Sequence, residues 1–131
     1  MRISSILKRS IFILLIAFIV AGCSAGGQGA PAAIEAYLQA VVEKDLNQAI
    51  NLSCAAWEVD AGLDVDSFEA VEPQLQDMAC VEAGTDGDYT LVECSGAIVV
   101  TYNDEAQELD LSRQTYRAIQ EGGEWRMCGY Q

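Results

Sequence analysis

Histidine is absent from this 131-residue sequence. Its absence removes Ser-His-Asp and Cys-His nucleophilic catalysis, the commonest zinc ligand, and the one side chain whose unperturbed pKa lies near neutrality. Cations are also scarce: seven Lys and Arg stand against twenty Asp and Glu, a formal charge of −13. Such a surface favours solubility through self-repulsion and argues against charge-driven binding of nucleic acid or anionic lipid headgroups. Cationic partners and divalent ions stay open. No Cys-x-x-Cys pair occurs, which takes away the usual zinc and redox spacings. Asp60, Asp64 and Asp66 are spaced somewhat like calcium ligands. Phe68, however, stands where such a loop needs another oxygen, and the sixth loop position is not glycine, so no metal is expected.

What is present begins with an address. Arg2, Lys8 and Arg9 precede an apolar run from Ile11 to Val20, which leads into Val20-Ala21-Gly22-Cys23. A cationic start, about ten apolar residues and a small-residue cleavage site make a secretory signal, too short to span a bilayer as a mature helix. Val20-Ala21-Gly22-Cys23 resembles the lipobox of bacterial lipoproteins. The resemblance implies removal of residues 1–22, diacylglycerol on the Cys23 thiol, and acylation of the new amino terminus. The chain would then be anchored to a bacterial membrane, with its domain on the extracytoplasmic side. Ser24–Ala30, rich in glycine, reads as a flexible tether with a reach of about 15 Å. Residues 31–131 then form a single small domain, which keeps all twenty acidic residues and only Lys44, Arg113, Arg117 and Arg126 as cations.

With Cys23 assigned to lipid, Cys54, Cys80, Cys94 and Cys128 remain. An even count in a small exported domain reads as two disulfides with three connectivities. The reading leans to Cys54–Cys80 with Cys94–Cys128. Cys54–Cys128 with Cys80–Cys94 is the competitor. A two-residue turn at Asp86-Gly87 would put Ala79 opposite Cys94 and Cys80 on the other face, and a one-residue change would reverse this.

Along the domain, Ile34, Tyr37, Leu38, Val41 and Val42 recur at helical spacing and predict an amphipathic helix over about Pro31–Lys44. Asp45 and Gln48 have capping-box spacing and open a second helix, with Leu46, Ala49, Ile50, Ser53, Cys54 and Trp57 as its buried stripe. Asp66 and Glu69 repeat that spacing before Phe68, Val71, Leu75 and Met78, predicting a short third helix broken or kinked by Pro73. From Met78 the period changes to two. Asp86-Gly87, Asn103-Asp104 and Gly122-Gly123 are turn signals. They divide four antiparallel strands at about Met78–Gly84, Tyr89–Tyr102, Gln107–Gln120 and Glu124–Tyr130. The expected class is α+β: two to three N-terminal helices packed on a curved, cone-like antiparallel sheet of about four strands.

The run Pro31–Cys54, "PAAIEAYLQAVVEKDLNQAINLSC", followed by long strands, resembles the cone-shaped superfamily of nuclear transport factor two, SnoaL and ketosteroid isomerase. With the lipobox and tether it is similar to small bacterial lipoproteins carrying such a domain. The resemblance covers about residues 30–131 and implies a pocket enclosed by helices and sheet. No position matches the superfamily's catalytic set, so no catalytic residue is carried over.

Tyr37, Trp57, Phe68, Tyr102, Tyr116 and Trp125 could line such a pocket for a small apolar ligand. The competing role for these aromatics is the core itself. Arg113, Arg117 and Arg126 would share one face if Gly122-Gly123 makes a two-residue turn, giving an anion patch unless neighbours such as Glu93, Glu108 or Glu124 pair with them. The expected function is a membrane-anchored, non-catalytic envelope domain. Its partners would be the lipid bilayer through Cys23 and an envelope protein or small apolar ligand, with no nucleic acid, cofactor or metal. The alternative is a histidine-free enzyme with Glu58 or Asp110 as general base, recognisable by a buried carboxylate of raised pKa.

Overall fold

The computed structural model describes residues 29–131. The expected signal peptide, Cys23 and most of the expected tether lie outside the described residues. Helix α1 (Ala30–Val42) comes first, then α2 (Leu46–Asn51), a 3-10 turn (Ala55–Trp57) and α3 (Glu58–Asp66). Strands β1 (Gln74–Asp86), β2 (Tyr89–Tyr102), β3 (Glu105–Asp110), β4 (Thr115–Glu121) and β5 (Glu124–Tyr130) follow, with a second 3-10 turn (Leu111–Arg113) between β3 and β4. The α+β class therefore holds, with five strands. Among the described residues no helix is long and apolar enough to cross a membrane.

Helix α1 starts one residue earlier than expected. Ala30, placed in the tether, is its first residue and fully buried. Its buried stripe, Ile34, Tyr37, Leu38, Val41 and Val42, is the one read from the spacing. Asp45 caps α2: its Oδ1 accepts from the Gln48 amide at 3.0 Å. That helix ends at Asn51, because Ser53 and Cys54 leave it to join the sheet. The Cys54 amide donates to the Met127 carbonyl and the Met127 amide to the Leu52 carbonyl, both at 2.8 Å, around an isolated parallel bridge between Ser53 and Met127.

The third helix is a correction. The expected segment from Asp66 is turn, then strand: Leu75 and Met78 belong to β1. The helix lies upstream instead, at Glu58–Asp66, where Ala61 and Val65 are buried while Val59 (78%) and Leu63 (62%) face outward. With its larger apolar side chains on the solvent side, it shows no amphipathic stripe.

The sheet order is β1-β2-β4-β5, all antiparallel, with β3 also paired to β2. Strand β2 is long enough to serve two partners on one edge. Thr90–Glu93 pair with β4, and Ala97–Tyr102 with β3. The single strand expected at Gln107–Gln120 is therefore two strands, broken at Asp110–Gln114. Asp110 causes the break: its Oδ1 accepts from the Ser112 amide at 2.9 Å and hydroxyl at 2.7 Å, which caps the 3-10 turn and turns Leu111 into the core. The two hairpin turns expected at Asn103-Asp104 and Gly122-Gly123 are present, each with both residues at positive φ, as the type I′ form of a two-residue hairpin requires.

The disulfides are Cys54–Cys128 and Cys80–Cys94, so the favoured pairing is overturned and the competitor holds. The β1–β2 turn closes on Asp86 and Tyr89, which leaves the face parity as anticipated. A bulge then intervenes: Gly84 pairs with Leu91 but Glu82 with Val92, leaving Ala83 extra. One extra residue flips every later side chain and sets Cys80 opposite Cys94, with Cα atoms 4.1 Å apart. Cys94 cannot reach Cys128, since β4 lies between their strands.

Helix α1 packs across the sheet, and the core joins Ile34, Tyr37, Leu38 and Val41 to Val92, Ile98, Tyr116, Ala118 and Met127. Strand β1 is one margin of the sheet. Its Cys80 amide points away from β2 and is taken by Glu35 Oε1 of α1 at 2.9 Å.

Candidate functional site

Three side chains far apart in sequence meet at one oxygen. Tyr37 of α1 and Tyr130 of β5 each donate their hydroxyl to Asp64 Oδ2 of α3, both at 2.6 Å. Trp57 Nε1 donates to the Tyr37 hydroxyl at 3.3 Å, so the donors run from Trp57 through Tyr37 to Asp64. Edge-to-face contacts brace the array: Trp57 with Tyr130 at 5.2 Å between centroids, and Tyr116 with Tyr130 at 5.5 Å.

The local sequence explains each position. Tyr37 lies on the buried stripe of α1 and is 0% exposed. Asp64 lies in the last turn of α3, one residue before buried Val65. Tyr130 closes β5 opposite Tyr116. It faces the core together with Met127, three residues earlier, because β5 bulges between them at Gly129, whose φ is +123°.

The electrostatics keep the phenols protonated. Burial raises the pKa of Tyr37 and Tyr130 well above the ordinary phenol range, and the Asp64 carboxylate adds to this by accepting their protons in hydrogen bonds and by its charge. Tyr116 is pushed up to about 12, chiefly by burial and then by the charges of Asp64 and Asp110.

Asp64, Tyr116 and Tyr130 line a pocket of about 190 Å³ between α1, α3 and the break in the sheet. Leu38, Val41 and Ile98 supply apolar wall, and Phe68 closes one side. Leu109, Asp110, Leu111 and Gln114 all come from the β3–β4 break, so the interruption of that strand makes the far wall.

Of the six aromatics anticipated at a pocket, Tyr37, Trp57, Phe68 and Tyr116 join this constellation. Tyr102 does not. It ends β2 beside the hairpin turn, pairs with Glu105 and is 58% exposed. Trp125 lies elsewhere, on a groove of about 490 Å³ between α1 and the β4–β5 turn, with Ala32, Ala33, Ala36, Glu124 and Arg126. Tyr130 was missed as a pocket residue, and Asp64 was weighed only in an acidic spacing. Among the described residues no three His, Cys, Asp or Glu side chains are grouped to hold a metal.

The anticipated anion patch is dispersed. Arg126 sits opposite Ile119 as expected, but its Nη2 is bound by Glu124 Oε2 at 2.5 Å. Arg117 lies over the Tyr89 ring, 4.9 Å from its centroid, with its guanidinium against Gly129. Arg113 is exposed on the 3-10 turn beside Asp110. The three cations thus face different neighbours and do not form one patch.

The two carboxylates considered as a base fare poorly. Glu58 is exposed at the start of α3 and does not line the pocket. Asp110 is at the pocket rim, but its hydrogen bonds from the Ser112 hydroxyl and amide lower its pKa, which weakens it as a base.

No family model and no curated protein sequence matches the chain. Two solved structures share its fold. One is a SEC-C motif containing protein of Rhodopseudomonas palustris, at 12% identity and TM-score 0.51, covering 76% of this chain and 75% of that one. The other is the helical cell shape determining protein Pgp2 of Campylobacter jejuni, at 13% identity and TM-score 0.51, covering 76% of this chain but 38% of that one. At these identities the similarity is of fold alone.

Proposed function

We propose that this chain is a lipid-anchored domain of a bacterial envelope that binds a small ligand in the pocket beside Asp64. The observation that carries the reading is the fixed carboxylate: two tyrosines hold one oxygen of Asp64 at the edge of a preformed recess that mixes apolar and polar walls. Preformed apolar pockets with a few convergent polar groups are the usual form of ligand sites. Two disulfides in a small domain support export to an oxidising compartment, as the lipobox-like Val20-Ala21-Gly22-Cys23 implies. Helices followed by a long strand shared between two partners support placement in the cone-shaped superfamily of nuclear transport factor two. An enzymatic reading through Glu58 or Asp110 has less support, since Glu58 is exposed away from the pocket and the hydrogen bonds from Ser112 lower the pKa of Asp110.

Two experiments test this reading. Membrane fractionation of Cys23→Ser should show an uncleaved precursor or a released soluble form. A variant that stays processed and membrane-bound removes the anchor. An NMR screen of fragments spanning neutral, cationic and anionic classes should give at least one binder whose shifts cluster on Ser67, Gln114 and Tyr130. Absence of any binder removes the pocket as a ligand site.

A further inference from the structure

The pocket has a charge that nothing in the protein neutralises. Asp64 Oδ2 is fully occupied by Tyr37 and Tyr130. No described residue donates to Oδ1, yet Oδ1 is not sealed away. The one buried side-chain nitrogen or oxygen without a partner, among the described residues, is Arg117 Nε. Asp64 is thus a pocket-lining residue with one carboxylate oxygen that no protein donor occupies and that is not fully buried. No Lys or Arg lines the pocket, and its second carboxylate, Asp110, stands at the rim.

From this arrangement we infer that the pocket binds a small organic cation, a protonated alkylamine. Its ammonium would donate to Asp64 Oδ1, and its carbons would lie against Phe68, Tyr116 and Tyr130. The inference rests on the reading of the pocket as a ligand site and names what enters it.

Energetics decide among ligand classes. A neutral apolar ligand would strip water from Oδ1 and return no hydrogen bond, and a carboxylate left without water or a partner is strongly disfavoured. An anion would meet the Asp64 carboxylate with no Lys or Arg lining the pocket to offset it, Arg113 lying beside Asp110 outside the lining. Calcium or magnesium needs six or more oxygens, zinc four ligands mostly from Cys or His, and no three His, Cys, Asp or Glu side chains converge here among the described residues. An ammonium ion gains on both sides. It makes a charge-assisted hydrogen bond to Oδ1, and aromatic ring faces attract it, more strongly when desolvated. The pocket of about 190 Å³ is slightly larger than the cavity of about 150 Å³ that takes benzene, so an amine of about three to six carbons fits. The acidic surface, at a formal charge of −13, would concentrate such cations near the mouth.

The test is a titration of the full-length protein in neutral detergent with n-butylammonium chloride and with 1-butanol, its neutral counterpart, followed by amide NMR shifts. Butylammonium should bind at least tenfold more tightly than butanol, with shifts at Ser67, Gln114 and Tyr130. Asp64→Asn retains a carbonyl acceptor for the two tyrosines, and it should abolish the preference. Phe68→Leu keeps an apolar wall without the ring. It should weaken butylammonium several-fold and leave butanol unchanged. Equal affinity for the two probes, or an undiminished preference in folded Asp64→Asn, overturns the cation proposal while the pocket stays a ligand site. Binding of neither probe, together with an empty fragment screen, removes both.

Discussion

Cys54 and Cys128, 74 residues apart, are bridged immediately beside the backbone pairing of Ser53 with Met127. The helical half and the last strand are thus fastened by covalent and hydrogen bonds at one place. In the chain-entropy account, closing a loop of this length stabilises by about 4.5 kcal/mol, and closing the 14-residue separation of Cys80–Cys94 by about 3 kcal/mol. Paired Cys→Ala variants should therefore differ. Loss of Cys54–Cys128 should lower the denaturation midpoint more than loss of Cys80–Cys94. Non-reducing peptide mapping should recover these two bridges, and free thiols at these positions would remove the framework.

The Asp64 hub should be cooperative. Asp64→Ala removes two charge-assisted hydrogen bonds from a half-buried site and should cost about 2–3 kcal/mol. Tyr37→Phe and Tyr130→Phe should each cost about 1 kcal/mol. The double variant should cost less than the sum of Asp64→Ala and either phenylalanine change, because they share one oxygen. Urea unfolding of the set measures the coupling, and strict additivity would show that the bonds are not formed in solution.

Alkali should unfold the domain early. Tyr37, Tyr116 and Tyr130 have pKa values raised in the folded state, while unfolded phenols titrate near pH 10. Their contribution is fully present below pH 10 and is lost as pH rises above it, since the unfolded chain then binds fewer protons than the native one. The melting temperature should fall from about pH 10 upward, and the fall should be shallower in Tyr130→Phe. An identical profile in that variant would contradict the buried phenol.

Gly96 should tolerate no side chain. Its φ is +91°, and a Cβ would overlap the Gln76 and Asp77 carbonyls at the first bulge of β1, where the backbone cannot yield cheaply. Gly122 also has positive φ, +62°, but its added Cβ meets nothing within 4 Å. Gly122→Ala should cost about 1 kcal/mol, the ordinary left-handed penalty. Gly96→Ala should cost clearly more and lower yield, as thermal melts of the two would show.

Strands β2 and β5 were legible to the residue because paired turn residues bracket them, and turn chemistry is local. The first helix was legible because its stripe is continuous. The third helix was hidden, since Val59 and Leu63 face outward and leave no periodic signal. The break at Asp110 was written in Asp110-Leu111-Ser112, yet a two-residue period on either side masked it. The disulfide pairing turned on Ala83, a single bulged residue whose placement depends on how the whole hairpin packs. The site was least legible. Tyr37, Asp64 and Tyr130 lie on different elements, and only tertiary structure brings them to one oxygen.

The Glu35 contact with the Cys80 amide has a consequence beyond holding α1 to the sheet. Proteins at high local concentration risk polymerising through exposed sheet margins, where a neighbour's strand adds to free amides. On β1 that route is obstructed. Glu35 occupies one outward amide, and bulges near Asp77 and Ala83 interrupt the ladder on either side. A strand arriving from another molecule would have to displace a carboxylate and cross two irregularities before making a continuous run of bonds. The domain can thus reach high local concentration without its margin becoming a template for a fibre.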